Sequence, residues 1–234
     1  MREGIRLILE QTQYFGLVLS IGAYLFACWL KNKTKLAILN PLLVSAALII
    51  ACILGVGMDY ETYNKGASYL SWLLTPATVC LAIPLYKQLH LLKKHADAVA
   101  VGITSGVVTS AVSIFLMCKV LGMAHVHYVT LLPKSITTAI GMGVSEEAGG
   151  IVTITVVCII ITGIFGNIIA ETLFKILKIE EPIAKGLALG TSAHAIGTSK
   201  ALELGEVEGA MSSLSIAVAG LMTVIVVPLV SGLI

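Results

Sequence analysis

An all-α integral membrane protein is the fold class this sequence predicts, and three observations predict it. Hydrophobic residues make up 57% of the 234-residue chain and charged residues 12%, against about 25% charged in a soluble domain. Mean hydropathy is +0.98. Charge-free windows of the length that crosses a bilayer, about 20 residues, follow one another with little between them. Residues 1–234 therefore read as a single polytopic membrane domain of about 7–8 hydrophobic segments.

The first segment covers residues 13–30 and ends in Lys31, Lys33 and Lys35. The second covers 36–58, with Asn40-Pro41 near its start. Asp59, Glu61 and Lys65 fill the next loop. The third, 66–86, is interrupted by Pro76 and Pro84 and followed by Lys87, Lys93 and Lys94. The fourth covers 98–118. The fifth, 127–145, carries Pro133-Lys134 inside it. The sixth is the long run 149–177, the seventh 186–201 and the eighth 209–234. Residues 1–11 hold Arg2, Glu3, Arg6 and Glu10 with no small-residue cleavage signal, so no cleaved leader is expected. The five cysteines stand singly in apolar runs and read as small buried hydrophobes.

The lysines give the orientation. Loops 1–2, 3–4 and 6–7 carry the basic excess, and the positive-inside rule puts all three on the cytoplasmic side. Simple crossings would place loops 3–4 and 6–7 on opposite sides. The conflict disappears if a segment between them enters and returns. The fifth is the candidate, being short, Pro-broken and lysine-bearing, and irregular backbone is tolerated at depth where protein or water covers it. A short echo, Pro76-Ala-Thr78-Val with Ala82-Ile83 against Pro133-Lys-Ser135-Ile with Ala139-Ile140, raises the possibility of transporter-type repeats.

Polar residues inside these segments are the candidate site, because such groups are costly in lipid and are kept facing protein or a wet cavity. Thr75-Pro76 and Leu132-Pro133 read as starts of half-helices, since proline suits the first helical position and Thr75 can cap. A helix N-terminus offers free N–H groups to a carboxylate. Thr75, Pro76, Ala77 and Thr78 form one such candidate, and Pro133, Lys134, Ser135, Thr137 and Thr138 the other. Lys134 has three roles open to it: snorkelling, neutralising Glu146 or Glu147, or meeting an anionic substrate. In the seventh segment a helix would bring Thr191, His194 and Thr198 onto one face, with Ser192 beside them. Ala193, Gly197 and Ala201 would form a small-residue stripe for close helix approach. His194 is either a satisfied core histidine or a proton-linked group. Asn40 breaks the second segment and can present an amide to a cavity. No nucleophile–base pair, P-loop, zinc motif or dinucleotide fingerprint is present, so neither an enzyme nor a cofactor is expected. The small net charge of +2, with lysines in short loops, gives no nucleic-acid stripe.

Several motifs in order resemble the LrgB/CidB family. They are Asn40-Pro41-Leu42-Leu43, Thr75-Pro76-Ala77-Thr78-Val79, Pro133-Lys134-Ser135-Ile136-Thr137-Thr138, Ser145-Glu146 with Gly149-Gly150, the run from Gly190 to Thr198, and Glu208-Gly209-Ala210 with Ser212-Ser213-Leu214. The chain departs from the family pattern at Thr75, Ala139 and Glu147-Ala148. The resemblance implies a multi-pass protein of a bacterial plasma membrane, oligomeric and partnered by a small LrgA/CidA-type membrane protein. It implies an antiholin-like role in murein hydrolase export and autolysis. It also implies kinship with plastid glycolate/glycerate translocators and with systems linked to pyruvate uptake. The buried polar groups favour the second picture, a carrier of small monocarboxylates. In that reading the Pro76–Thr78 and Pro133–Ser135 ends with Lys134 hold the carboxylate. Thr191, Ser192 and Thr198 take the hydroxyl or keto oxygen, and His194 is a proton-linked gate.

Overall fold

The computed structural model describes residues 12, 14–34, 39–73, 76, 79–80 and 82–234. No strand occurs among them, and the chain divides into two compact units, residues 1–80 and 81–234.

In the first unit α1 is Phe15–Thr34, α2 Pro41–Val56 and α3 Tyr60–Trp72. Asn40 is the N-cap of α2. Its side-chain oxygen accepts from Leu42 N–H at 2.9 Å, Pro41 fills the first helical position, and Gly57 ends the helix with φ 70°. Asp59 caps α3 in the same way, which starts this helix six residues before the apolar window at Gly66. Gly16 of α1 lies against the α3 backbone at Tyr63 and Ala67, where a Cβ would not fit.

In the second unit α4 is Ala82–Lys87, α5 Leu89–Lys94, α6 Ala96–Val120, α7 His125–Leu131, α8 Thr138–Glu147, α9 Val152–Ile176, α10 Pro182–Leu204 and α11 Glu206–Val230. A single 3₁₀ turn, Ser231–Leu233, follows. Among the described residues, α1, α6, α9 and α11 with its 3₁₀ turn are long and apolar enough to cross a membrane, and α2 is a shorter apolar helix. At 1.5 Å per residue, each of the 25-residue helices α6, α9 and α11 reaches about 37 Å. Their outer faces carry exposed Val101, Val108, Ile161, Phe165, Leu221 and Leu229, as helices bathed in lipid should.

Two segments double back, the fifth as the lysine pattern suggested and the seventh against the expectation of a single helix. The first comprises α7, a turn at residues 132–137, and α8. Thr130 near the end of α7 accepts a hydrogen bond from Ile151 N–H just beyond α8, at 2.8 Å. Its carbonyl accepts from Thr155 at 2.9 Å, and Thr155 also meets Ser145 of α8 at 2.6 Å. The chain therefore leaves and returns to one end of the unit. The turn forms because Pro133 has no N–H with which to continue α7. Lys134 N–H then closes onto Leu131 O.

The second is α10 itself. His194, with φ 43° and ψ −136°, reverses the helix halfway. In a straight helix Gly186 and Leu202 would lie about 24 Å apart. Both instead meet the start of α11: Gly186 abuts Glu208 and Met211, and Leu202 abuts Gly209. Gly190 and Thr198 likewise both meet Ser212. The expectation that Thr191, His194 and Thr198 share one helical face is thus corrected, because the backbone turns between them.

The two hairpins start from opposite ends of the unit. Val99, Ile183 and Met211 cluster where α6 and α11 begin, at the base of the α10 hairpin. Cys118, Tyr128 and Val227 cluster where α6 and α11 finish, at the base of the α7–α8 hairpin. Lys93, Lys94, Lys175, Lys178 and Lys185 consequently gather at one end of this unit, as a returning fifth segment requires of loops 3–4 and 6–7. With four helices of spanning length among the described residues, the expected count of about 7–8 hydrophobic segments is not confirmed. Of the echo motif, residues 77, 78 and 81 lie outside the described residues, so the proposed repeat gains no support from it.

Candidate functional site: a hydroxyl-lined cleft with a lysine floor

Between α6, the tip of the first hairpin and the outer arm of the second lies a cleft of about 810 Å³. One wall is a stripe of α6, Gly102, Ser105, Gly106, Thr109, Ser110 and Ser113, spaced three and four apart so that all face the same way. The opposite wall is Leu187, Ala188, Thr191 and Ser192 of α10. Lys134 and Ser135 form the floor, and His95 and Glu181 mark the mouth at the lysine-rich end.

The glycines set the width of the cleft. A Cβ on Gly106 would sit 2.7 Å from Thr191 Oγ1, and one on Gly102 would sit 2.8 Å from Leu187 Cδ1. At Gly106, which faces the short Thr191 side chain down to its Cβ, only glycine lets the hairpin arm come this close to α6; at Gly102 the Leu187 tip could move aside.

Lys134 Nζ donates to Ser135 Oγ at 2.9 Å, and Ser135 Oγ lies 3.2 Å from Ser110 Oγ. No carboxylate among the described residues pairs with Lys134. Glu146 and Glu147 are exposed at the base of the hairpin, so the neutralising role considered for them is not the one seen. An ammonium carries three donors, and one bond to a serine leaves the rest for the cleft. The hydroxyls around it are differently placed. Ser105, Ser113, Thr191 and Ser192 each donate to a carbonyl one turn earlier on their own helix, at 2.6–2.9 Å. With those protons committed, each can only accept a further bond. Thr191 and Ser192 therefore suit a substrate hydroxyl and not the keto oxygen also expected of them, and Lys134 is the cleft's cationic donor.

Of the residues singled out from sequence, Lys134, Ser135, Thr191 and Ser192 line this cleft. His194, Gly197 and Thr198 do not: they hold the second hairpin together. His194 is 3% exposed, and its Nε2 meets Ile159 O of α9 at 2.9 Å. A carbonyl can only accept, so Nε2 carries the hydrogen. Its ring lies over Gly163, where a Cβ would come within 2.8 Å. Gly197 packs on Leu189 O and Ala193 of the other arm. Thr198 Oγ1 meets Ser212 Oγ at 2.7 Å, fully buried.

Pro133 sits inside the first hairpin's turn, not at a helix start. The new helix begins at Thr138 behind the N-cap Thr137, because Thr137 takes the extended backbone a cap requires. Asn40 belongs to the first unit, as does Pro76, which is helical and exposed. Thr75, Ala77 and Thr78 lie outside the described residues. The α6 stripe was missed in the sequence, although Gly-x-x-Ser-Gly-x-x-Thr-Ser-x-x-Ser at helical spacing was there to be read.

Long apolar helices packed around two opposed, broken hairpins define a polytopic α-helical membrane protein. The chain belongs to the LrgB-like family, whose profile matches residues 20–233, as the order of its motifs suggested. It is similar to the antiholin-like protein LrgB of Bacillus cereus (strain B4264), at 37% identity over 219 residues, 93% of this chain and 95% of that one. The protein of the same name from Bacillus anthracis (strain CDC 684 / NRRL 3495) matches with the same identity and coverage. No solved structure gives a significant match.

Proposed function

We propose that this chain is a carrier, or carrier subunit, for small monocarboxylates such as pyruvate, glycolate or glycerate. In this reading it works in a bacterial plasma membrane with a small LrgA/CidA-type partner and as an oligomer. The observation that carries the proposal is Lys134: a cation with no carboxylate partner among the described residues, held at the tip of a helical hairpin on the floor of a hydroxyl-lined cleft. A charge inside a membrane segment is costly and is kept where it faces a pathway. Broken helices meeting within the membrane-spanning bundle, as the two hairpins of the second unit do, are where secondary carriers place their sites. The lysine-rich mouth would draw anions in from the cytoplasmic side, and a single cation suits a single carboxylate. Uptake of labelled pyruvate, glycolate and glycerate into liposomes, with and without the partner, tests it. Absence of uptake under both conditions would count against it.

A second reading is favoured by the name of the relatives. Both compared proteins are called antiholin-like, which points to regulation of murein hydrolase export and autolysis. That name supports this role more directly than it supports transport. In this reading the lysis phenotype survives Lys134→Gln and tracks no metabolite. In the carrier reading the phenotype follows uptake and is lost with Lys134.

A further inference from the structure

A second pocket lies at the lysine-rich end, away from the cleft. Its volume is about 350 Å³, and Lys175, Lys178 and Lys185 converge on it beside Phe174, Ile179 and Leu204. None of the three lysines pairs with a carboxylate among the described residues. Of the two acids in its lining, Glu171 is engaged by Lys200. Glu180 remains, outnumbered by three ammonium groups.

Lys178 adds an independent sign. It stands at φ 53° just past Leu177, the C-cap of α9, where its N–H closes onto Lys175 O and Ile179 N–H onto Phe174 O. This helix-ending position is usually glycine, which accepts a left-handed backbone at no steric cost. A lysine is held there against that preference, and strain of this kind persists where it serves a site.

We propose that this pocket binds a phosphate group, supplied by an anionic lipid headgroup or by a free phosphate ester. The apolar side chains beside the lysines, and the lipid-exposed face of α9 leading up to them, favour the lipid. Basic pockets between helices at the cytoplasmic surface recognise headgroups in this way.

Native mass spectrometry of the full chain, released from vesicles of equal phosphatidylglycerol and phosphatidylcholine, tests the proposal. Retention of phosphatidylglycerol over phosphatidylcholine by about tenfold or more is expected from three lysines. The preference should vanish in the combined Lys175→Gln, Lys178→Gln, Lys185→Gln variant and persist in Lys119→Gln at the opposite end. Lys178→Gly suits the local backbone and removes one charge, so it should fold and reduce the preference by about fivefold. A second arm adds glycerol 3-phosphate or inorganic phosphate to phosphatidylcholine-only vesicles. Binding there that the lysine variants abolish supports the phosphate site and assigns it to a soluble source. Equal retention of the two lipids with no phosphate binding, or a preference unchanged in Lys178→Gly and the combined variant, would overturn it.

Discussion

The two hairpins solve the same problem by different means. The first turns over six residues, with a proline to stop one helix and a threonine cap to start the next. The second turns at a single residue, His194, with no proline or glycine at the bend. The first has room at its tip and places Lys134 and Ser135 in the cleft. The second has none. Its arms are locked by Gly197 on Leu189, Thr198 on Ser212 and His194 on Ile159. The first tip presents side chains to the cleft, where the proposed function needs them, and the second turns its side chains inward, where they hold the fold.

Breaking the first tip should have the largest effect. Lys134→Gln removes the cleft's fixed cationic donor, and monocarboxylate uptake should fall about 100-fold, the loss expected when one partner of a desolvated charge pair is removed. Folding should be retained, since its described bond is to a neighbouring serine. Lys134→Arg keeps the charge with another shape and should lose less than about tenfold. Equal uptake by Lys134→Gln and the parent would remove the distinction between the tips.

Changes at the second tip should register in stability before uptake. His194→Ala loses the bond to Ile159 and keeps the unfavourable backbone, whereas His194→Gly loses the same bond and relieves it. The glycine variant should be the more stable of the two by about 1 kcal/mol, measured by thermal unfolding in detergent. The reverse order would mean that the bend is not strained. Thr198→Val should cost about 1 kcal/mol from the lost Ser212 bond and leave KM unchanged. The smallest effect belongs to Ser192→Ala. Its exposed hydroxyl already bonds its own helix, so stability should move by less than about 0.5 kcal/mol.

The same contrast explains what the sequence made legible. The first hairpin could be read, because Pro133-Lys134 interrupts an apolar run and the lysines on either side demand a returning segment. The second could not. Ala193-His194-Ala195 carries no helix-breaking signal, and the reversal is imposed by packing: Gly163 and Gly166 of α9 accept His194 and Ala193, while Gly186 and Gly190 of α10 itself lie against α11. Residues on both sides of the bend were therefore grouped on one face that does not exist. The cleft was half legible: Lys134, Ser135, Thr191 and Ser192 stood out as polar groups at depth. The α6 stripe passed as an ordinary apolar helix because its hydroxyls are spread among valines.

The most direct test of the account is labelling of Ser192→Cys, in a background with the native cysteines replaced, by a membrane-impermeant thiol reagent. The account predicts reaction from the lysine-rich side only, slowed by pyruvate, with that protection lost when Lys134→Gln is added. Reaction from the opposite side, or protection by pyruvate that survives Lys134→Gln, would contradict it.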